Sequence, residues 1–334
     1  MNLRAAIDTL AAPHPGTEGI PLPGHGRTLA RWQLFATIAA TQGTVAIKLF
    51  EAHADALAIL AEVAGATPAP ATQWAVWAAE PPDARVRVSA APDPDTRHLA
   101  ADSGIARGEA VRLNGRKAWC SGAGSVSHAV LTCHDDSDNA LLAVIDVRGP
   151  GVTVTTDGWH AVGMAGTASG DVLLHDCPAL RIGGPRAYLD RPGFWHGGAG
   201  IAACWYGAAL PLAEAVRETV RKHDDPHAGA HLGAIDGDLR AAAALLRETA
   251  AWIDAHPAED AFVAALRVRT AVEAAVQRVL HRAGNVLGAG PLCRNARLAA
   301  LYADLPVFLR QSHAERDLAA LGRALRDADD ACAL

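Results

Sequence analysis

Aromatic side chains are scarce in this chain of 334 residues: it has five phenylalanines and three tyrosines, against eight tryptophans, and only two methionines. A chain that is 50% apolar with so few aromatics is not an aromatic-rich sandwich throughout, and its alanine enrichment favours closely packed helices. The six cysteines (Cys120, Cys133, Cys177, Cys204, Cys293 and Cys332) form no C-x-x-C pair. That spacing argues against a zinc knuckle or a disulfide framework and predicts reduced, mostly buried thiols. Positive charge is not in excess either: the formal net charge is −6, so no global attraction to nucleic acid or an anionic membrane is expected. No membrane-spanning run of about eighteen uncharged apolar residues is expected. The opening Met1-Asn-Leu-Arg-Ala-Ala-Ile-Asp lacks the apolar core and cleavage site of a signal peptide, so a cytoplasmic location is expected.

What is present falls into three stretches. Residues 13–27 hold four prolines and four glycines, which argues against a helix there. From Leu29 to Val63 apolar residues recur at helical spacing, with an interruption at Gln42-Gly43 that separates two helices. After the linker Ala66–Pro70 the pattern becomes seven short runs rich in Val, Leu, Trp or Thr: 73–80, 85–90, 110–121, 127–133, 141–147, 152–156 and 171–175. Short strands at this spacing predict an all-β antiparallel barrel or sandwich. Beyond Gly183-Gly184-Pro185 four long helical patterns follow, 199–222, 232–255, 259–287 and 292–326, with Pro306 expected to kink or divide the last. The expected class is α+β: a short N-terminal helical part (1–70), a middle β-domain (71–183) and a C-terminal four-helix bundle (184–334).

One stretch concentrates chemistry. Asn114-Gly115 stands between two strand-like runs, Glu109 to Leu113 and Lys117 to Cys120, and reads as a two-residue hairpin turn. The second run ends in Trp119-Cys120-Ser121-Gly122. A flat aromatic surface, a hydroxyl and bare backbone at one strand end suit a planar heteroaromatic ligand, and equally suit a buried tryptophan beside a turn.

Leu113-Asn-Gly-Arg-Lys-Ala-Trp-Cys-Ser-Gly-Ala123 resembles the middle-domain stretch of the acyl-CoA dehydrogenase family of flavoproteins, in which Trp-x-Ser/Thr lies against the flavin. Gly149-Pro-Gly-Val-Thr-Val and the later segment from Trp159 to Asp176, with its Val-Gly-Met and Thr-x-Ser-x-Asp-Val, are similar to a second signature of that family. The resemblance implies FAD, with Trp119 stacking by the isoalloxazine and Ser121 donating to its edge, and Thr167 and Ser169 near the cleft. It also implies a homodimer or homotetramer and a small-molecule substrate, an acyl thioester or another compound.

The departures from the family pattern are as specific. The N-terminal helical part is shorter. The family's Thr-Glu-Pro-x-x-Gly-Ser-Asp loop corresponds to Ala79-Glu-Pro-Pro-Asp-Ala-Arg85, of which only Glu80-Pro81 matches. Its Arg-x-x-Phe-Gly stretch, which reaches cofactor phosphates, faces Arg221-Lys222 without the aromatic, and Gly284–Gly290 stands for its glycine-rich helix break. Where desaturating members carry a catalytic glutamate, this chain has Gln311-Ser-His-Ala-Glu-Arg, which leaves His313 or Glu315 as the candidate base. Three functions stay open: an FAD-dependent dehydrogenase, a flavin-dependent monooxygenase of the same fold, and a non-catalytic scaffold that has lost FAD.

Other constellations read as structure. His223, His227 and His231 have ligand-like spacing, but Pro226 and Gly229 predict a polar loop rather than a helix there. Asp135-Asp136-Ser-Asp138 lacks the glycine and glutamate of a calcium loop and reads as a hairpin turn. Gly122-Ala-Gly124 has no third glycine, so it makes no dinucleotide fingerprint. The arginine series from Arg294 to Arg323 reads as a solvated helix face. Trp195-His196 and Trp205-Tyr206 suit packing or a cleft wall.

Overall fold

Gly43 separates the first two helices, as the interruption predicts. In a computed structural model, which describes residues 19–89 and 95–326, α1 spans Thr28–Gln42 and α2 Thr44–Ala64. Between them Gly43 adopts φ 94, a conformation glycine takes without a steric penalty. The readings made of residues 13–18, of Ala90 and of Cys332 fall outside the described residues. Contacts along the chain divide it into two units. The first holds Lys48–Ala161 and Ala165–Phe194 with residues 19–20; the second holds Pro21–Ile47, Val162–Met164 and residues 195–326.

The first unit is built on a sheet of all seven expected strands: β1 Trp74–Trp77, β2 Val86–Ser89, β3 Glu109–Lys117, β4 His128–His134, β5 Ala140–Asp146, β6 Val152–Val154 and β7 Val172–Ile182. Their order is β1-β4-β2-β3-β7-β5, β6 joins β7, and a further β4–β5 pairing closes the path into a small barrel. Most pairs are antiparallel, but β1 and β2 run parallel to β4. The region is not purely β either, since helix α3 (Arg97–Ser103) lies within it. Strand β4 is buried along its whole length, which explains why its sequence runs apolar without alternation. Ala56, Ile59 and Leu60 of α2 pack with Trp74, Leu99, Val130, Val144, Leu180 and Ile182 to form the core of this unit. The acidic stretch at Asp135 is the β4–β5 turn, where its carboxylate accepts from the backbone N–H groups of Ser137 and Asn139.

The hairpin expected at Asn114-Gly115 does not form. Strand β3 runs straight through both residues and pairs with β2 on one side and β7 on the other. The irregularity is in the neighbour: between Leu113↔Cys177 and Gly115↔Leu174, one residue of β3 faces two of β7, a bulge with Asp176 at φ 47. Asn114 fills that bulge, donating from Nδ2 to Asp176 Oδ1 (3.1 Å) and accepting from Asp176 N (2.8 Å). Gly115 is needed for a close approach, because a Cβ there would sit 2.1 Å from Arg85 O.

The second unit is helical: α5 (Gly193–Lys222, from residue 195 onward), α6 (Pro226–Ala255), α7 (Phe262–Leu287), α8 (Ala289–Arg294), α9 (Ala296–Phe308) and α10 (Glu315–Leu325), after the short α4 (Ala187–Asp190) of the first unit. Val268, Val272, Val276 and Val279 of α7 and Leu239, Leu246 and Ile253 of α6 supply the buried stripes. Three expectations are corrected here. The chain does break between Lys222 and Pro226, but no polar loop follows: Pro226 starts α6, with Asp225 capping it through His227 N (2.9 Å), so His227 and His231 lie on its first turns. The last helical pattern is broken not at Pro306, which lies inside α9, but at Asn295, whose side chain caps Arg297 N and Leu298 N, and again at Ser312–Ala314. Finally, α5 has no charged residue from Gly193 to Ala213 and is long and apolar enough to cross a membrane; 72% of its most apolar window is buried within the protein.

Val162–Met164 also belongs to this unit, held against α9. Met164 N donates to Asp304 (2.6 Å), and a Cβ on Gly163 would collide with Ala303 O. This accounts for the Val-Gly-Met pattern: only glycine permits the contact.

Two substitutions separate the bulge from a turn. Asn114→Gly, which a two-residue turn tolerates, is expected to cost about 1–2 kcal/mol through loss of the hydrogen bonds to the bulge. Gly115→Ala is expected to cost about 2–4 kcal/mol. Urea unfolding midpoints measure both; an unchanged midpoint for Asn114→Gly contradicts the bulge assignment.

Candidate functional site

In the first unit the chain leaves β3 at Lys117 and turns sharply. Trp119 adopts φ 56, a conformation that is strained for any residue with a side chain, by about 1–3 kcal/mol. Hydrogen bonds from a second segment fix it. Cys120 N donates to Gly170 O and Gly122 N to Thr167 O, each at 2.8 Å, and Ser121 N closes back on Trp119 O at 2.9 Å. Trp77 Nε1 adds a bond to Ser121 O at 3.2 Å. The second segment is equally constrained: Ala168 has φ 43, and Gly170 passes so close to Thr155 that a Cβ would lie 2.3 Å from its carbonyl oxygen.

The result is a ledge. The Trp119 ring is 56% exposed, while the tryptophans at 32, 74, 77 and 205 are buried. Two residues on, Ser121 Oγ shares a hydrogen bond with Ser169 Oγ (2.7 Å), which shares another with Thr167 Oγ1 (2.8 Å). The three hydroxyls form a chain that runs from Thr167 through Ser169 to Ser121. Ser169 and Thr167 are buried and Ser121 is half-buried, so Ser121 is the accessible end. Trp119, Ser121, Thr167 and Ser169, four of the residues singled out in the sequence, are thus brought together within one unit.

Glu80 is placed differently, beneath the same strand. The ammonium of Lys117 is fully buried, with Thr132 Oγ1 at 2.6 Å, Thr132 O at 2.9 Å and Glu80 Oε1 at 3.3 Å. Thr132 Oγ1 also donates to Glu80 (2.5 Å), and His134 Nε2 lies 3.5 Å from the other carboxylate oxygen. Burial pushes the Lys117 ammonium below its ordinary pKa, opposed by the Glu80 charge. In this chain Glu80 therefore anchors the 79–85 loop to the end of β3, two residues before Trp119.

In the second unit, His313 and Glu315 sit where α9 gives way to α10. Both are exposed, and His313 contacts Asp317: its backbone N–H donates to Oδ2 at 3.0 Å and its Nδ1 lies 3.2 Å from Oδ1. Arg269 of α7 holds the preceding residue pair, donating to Gln311 O at 2.9 Å and to Gly198 O at 2.7 Å, with its guanidinium over the Trp205 ring. Arg221 is at the exposed end of α5, 3.7 Å from Glu214, and is not part of that loop. Trp195 packs edge-on to Phe262.

Sequence reasoning missed Lys117, Arg269 and Asp317. Lysine and arginine inside strand and helix patterns read as surface residues, and nothing in one sequence marks them as buried partners. Asp317 carried a weak signal, as a carboxylate four residues after His313. Among the described residues no group of three His, Cys, Asp or Glu could hold a metal ion.

No protein-family model matches the sequence, and no curated protein matches it. Solved structures do. The complex of TdsC from Paenibacillus sp. A11-2 with FMN and indole has a TM-score of 0.74 at 18% identity, over 87% of this chain and 82% of that one. The methanesulfinate monooxygenase MsuC from Pseudomonas fluorescens has 0.73 at 20% identity, over 99% and 91%. The butyryl-CoA dehydrogenase from Megasphaera elsdenii has 0.74 at 13% identity, over 90% and 82%.

The buried pair makes an asymmetric prediction. Glu80→Ala strands a buried ammonium and is expected to cost about 2–4 kcal/mol, whereas Lys117→Met leaves a partly exposed carboxylate that water can solvate and is expected to cost about 1 kcal/mol or less. Equal losses of unfolding free energy would contradict the assignment of Lys117 as the more buried partner. Helices followed by a small β-barrel and a helical unit, alike over most of its length to these three structures, give this chain the fold of the acyl-CoA dehydrogenases.

Proposed function

We propose that this protein is a flavin-dependent oxidoreductase acting on a small molecule, with FAD as its cofactor. The observation that carries the reading is the exposed Trp119 side chain, held in a strained backbone conformation beside a chain of hydroxyls that ends at half-buried Ser121. A strained, over-determined residue that exposes a large apolar surface is otherwise a pure cost to the fold. These residues fit an isoalloxazine: the indole offers a flat apolar wall, Ser121 a donor to a ring edge, and Thr167 and Ser169 hold that donor in place. A bound flavin supplies two-electron redox chemistry. The chain's own contribution is to bind the ring, orient it and shield it from water.

FAD rather than FMN is proposed because Arg221 and Lys222, at the exposed end of α5, suit a diphosphate. In that setting Arg221 acts from a partner subunit, and we infer a homodimer or homotetramer. We place the protein in the cytoplasm, with the apolar stretch of α5 buried in its own interior.

Oxygenation is favoured over desaturation of an acyl thioester by one observation. At the α9–α10 junction Gln311 cannot accept a proton, and the ring held against a carboxylate there is the imidazole of His313. TdsC in its complex with FMN and indole, and the monooxygenase MsuC, support the same direction.

Binding is the direct test. Dialysed protein is expected to take up FAD saturably, with the visible flavin bands perturbed, and more tightly than FMN. Trp119→Ala should weaken binding about 5- to 30-fold and Ser121→Ala about 3- to 10-fold. No uptake at saturating FAD contradicts the proposal and leaves the scaffold reading. With FAD bound, anaerobic butyryl-CoA is expected to leave the flavin oxidised; bleaching would favour the dehydrogenase.

A further inference from the structure

The loop that presents His313 is fixed at every backbone position, yet its imidazole is 63% exposed. Arg269 holds Gln311 O, Ser312 N donates to Leu309 O at 3.0 Å, and Ala314 N donates to Ser312 Oγ at 3.1 Å. Ser312 is buried, and Ala314 is driven to φ 49, where only surrounding constraint keeps an alanine. Asp317 completes the set. Its carboxylate is only 11% exposed and accepts from the His313 backbone with one oxygen, leaving the other 3.2 Å from Nδ1.

An ionised carboxylate has no hydrogen to give, so the Nδ1 facing it must be the ring nitrogen that carries the proton. The other nitrogen, Nε2, then keeps its lone pair and is the ring nitrogen that does not face Asp317. We propose that Asp317 is a positioning residue that locks neutral His313 as the Nδ1–H tautomer and so makes Nε2 the proton acceptor toward a bound substrate. The proton would leave an acidic O–H, N–H or C–H of the substrate and arrive on Nε2; the resulting imidazolium is balanced by Asp317. The substrate class is therefore a small molecule with an ionisable hydrogen at its reacting centre. The acceptor role rests on the proposed function; the tautomer does not.

The experiment is a nitrogen-15 spectrum of protein labelled at histidine, with the His313 signals assigned by comparison with His313→Gln. Under conditions where the ring is neutral, the wild-type protein is expected to show a protonated Nδ1 and an unprotonated Nε2. Asp317→Asn, which keeps the shape and a backbone acceptor but can offer an N–H to the ring, should reverse or average the tautomers. Asp317→Glu should restore the wild-type pattern in part. A protonated Nε2 in the wild-type protein, or the same pattern in Asp317→Asn, overturns the inference without bearing on FAD binding. If the tautomer is as proposed and FAD does not bind, the positioning stands and the oxidoreductase reading fails.

Discussion

A tryptophan in the left-handed region at the end of a strand is held there by backbone hydrogen bonds from a second segment, and the candidate site follows from that constraint. Cys120 and Gly122 are sewn to Gly170 and Thr167, so the chain cannot relax by flipping Trp119 into the extended region without breaking both bonds. Each bond contributes about 1 kcal/mol net, comparable to the strain it opposes. The same two bonds bring Ser121 within reach of Ser169 and Thr167, so one piece of backbone stitching produces both the flat surface and the polar edge. Glycines at 122 and 170 take positions where a side chain would collide or strain.

Charge burial supplies the second level of organisation, and it works similarly in each unit. Lys117 lies under the ledge with Glu80 and Thr132 as partners; Asp317 lies under the α9–α10 junction with two donors from His313. A buried charge is costly unless its partners are correctly placed, so it penalises every conformation that misplaces them. Such groups add little net stability. They define geometry where apolar packing alone tolerates slippage.

Much of this was legible in one sequence. All seven strands and the α1–α2 break were visible because short apolar runs and the Gly/Pro punctuation between them report burial directly. The family resemblance located Trp119, Ser121, Thr167 and Ser169, and these do converge. Asn114-Gly115 misled because the pair that makes a tight turn is also a pair that can bridge a bulge, and the bulge belongs to residues 175–176, far along the chain. Pro226 misled in the opposite sense, since a proline that ends one helix is equally suited to the first turn of the next. Lys117 and Asp317 could not be seen as partners, because partnership between charged groups is a property of the folded distances.

On this reading the flavin ring is held at the ledge of residues 118–122 and 165–170. Hydrogen–deuterium exchange with and without saturating FAD tests it without knowledge of the substrate. FAD is expected to slow exchange in both segments of the ledge together. Protection elsewhere in the protein, with both of these segments unchanged, would contradict it.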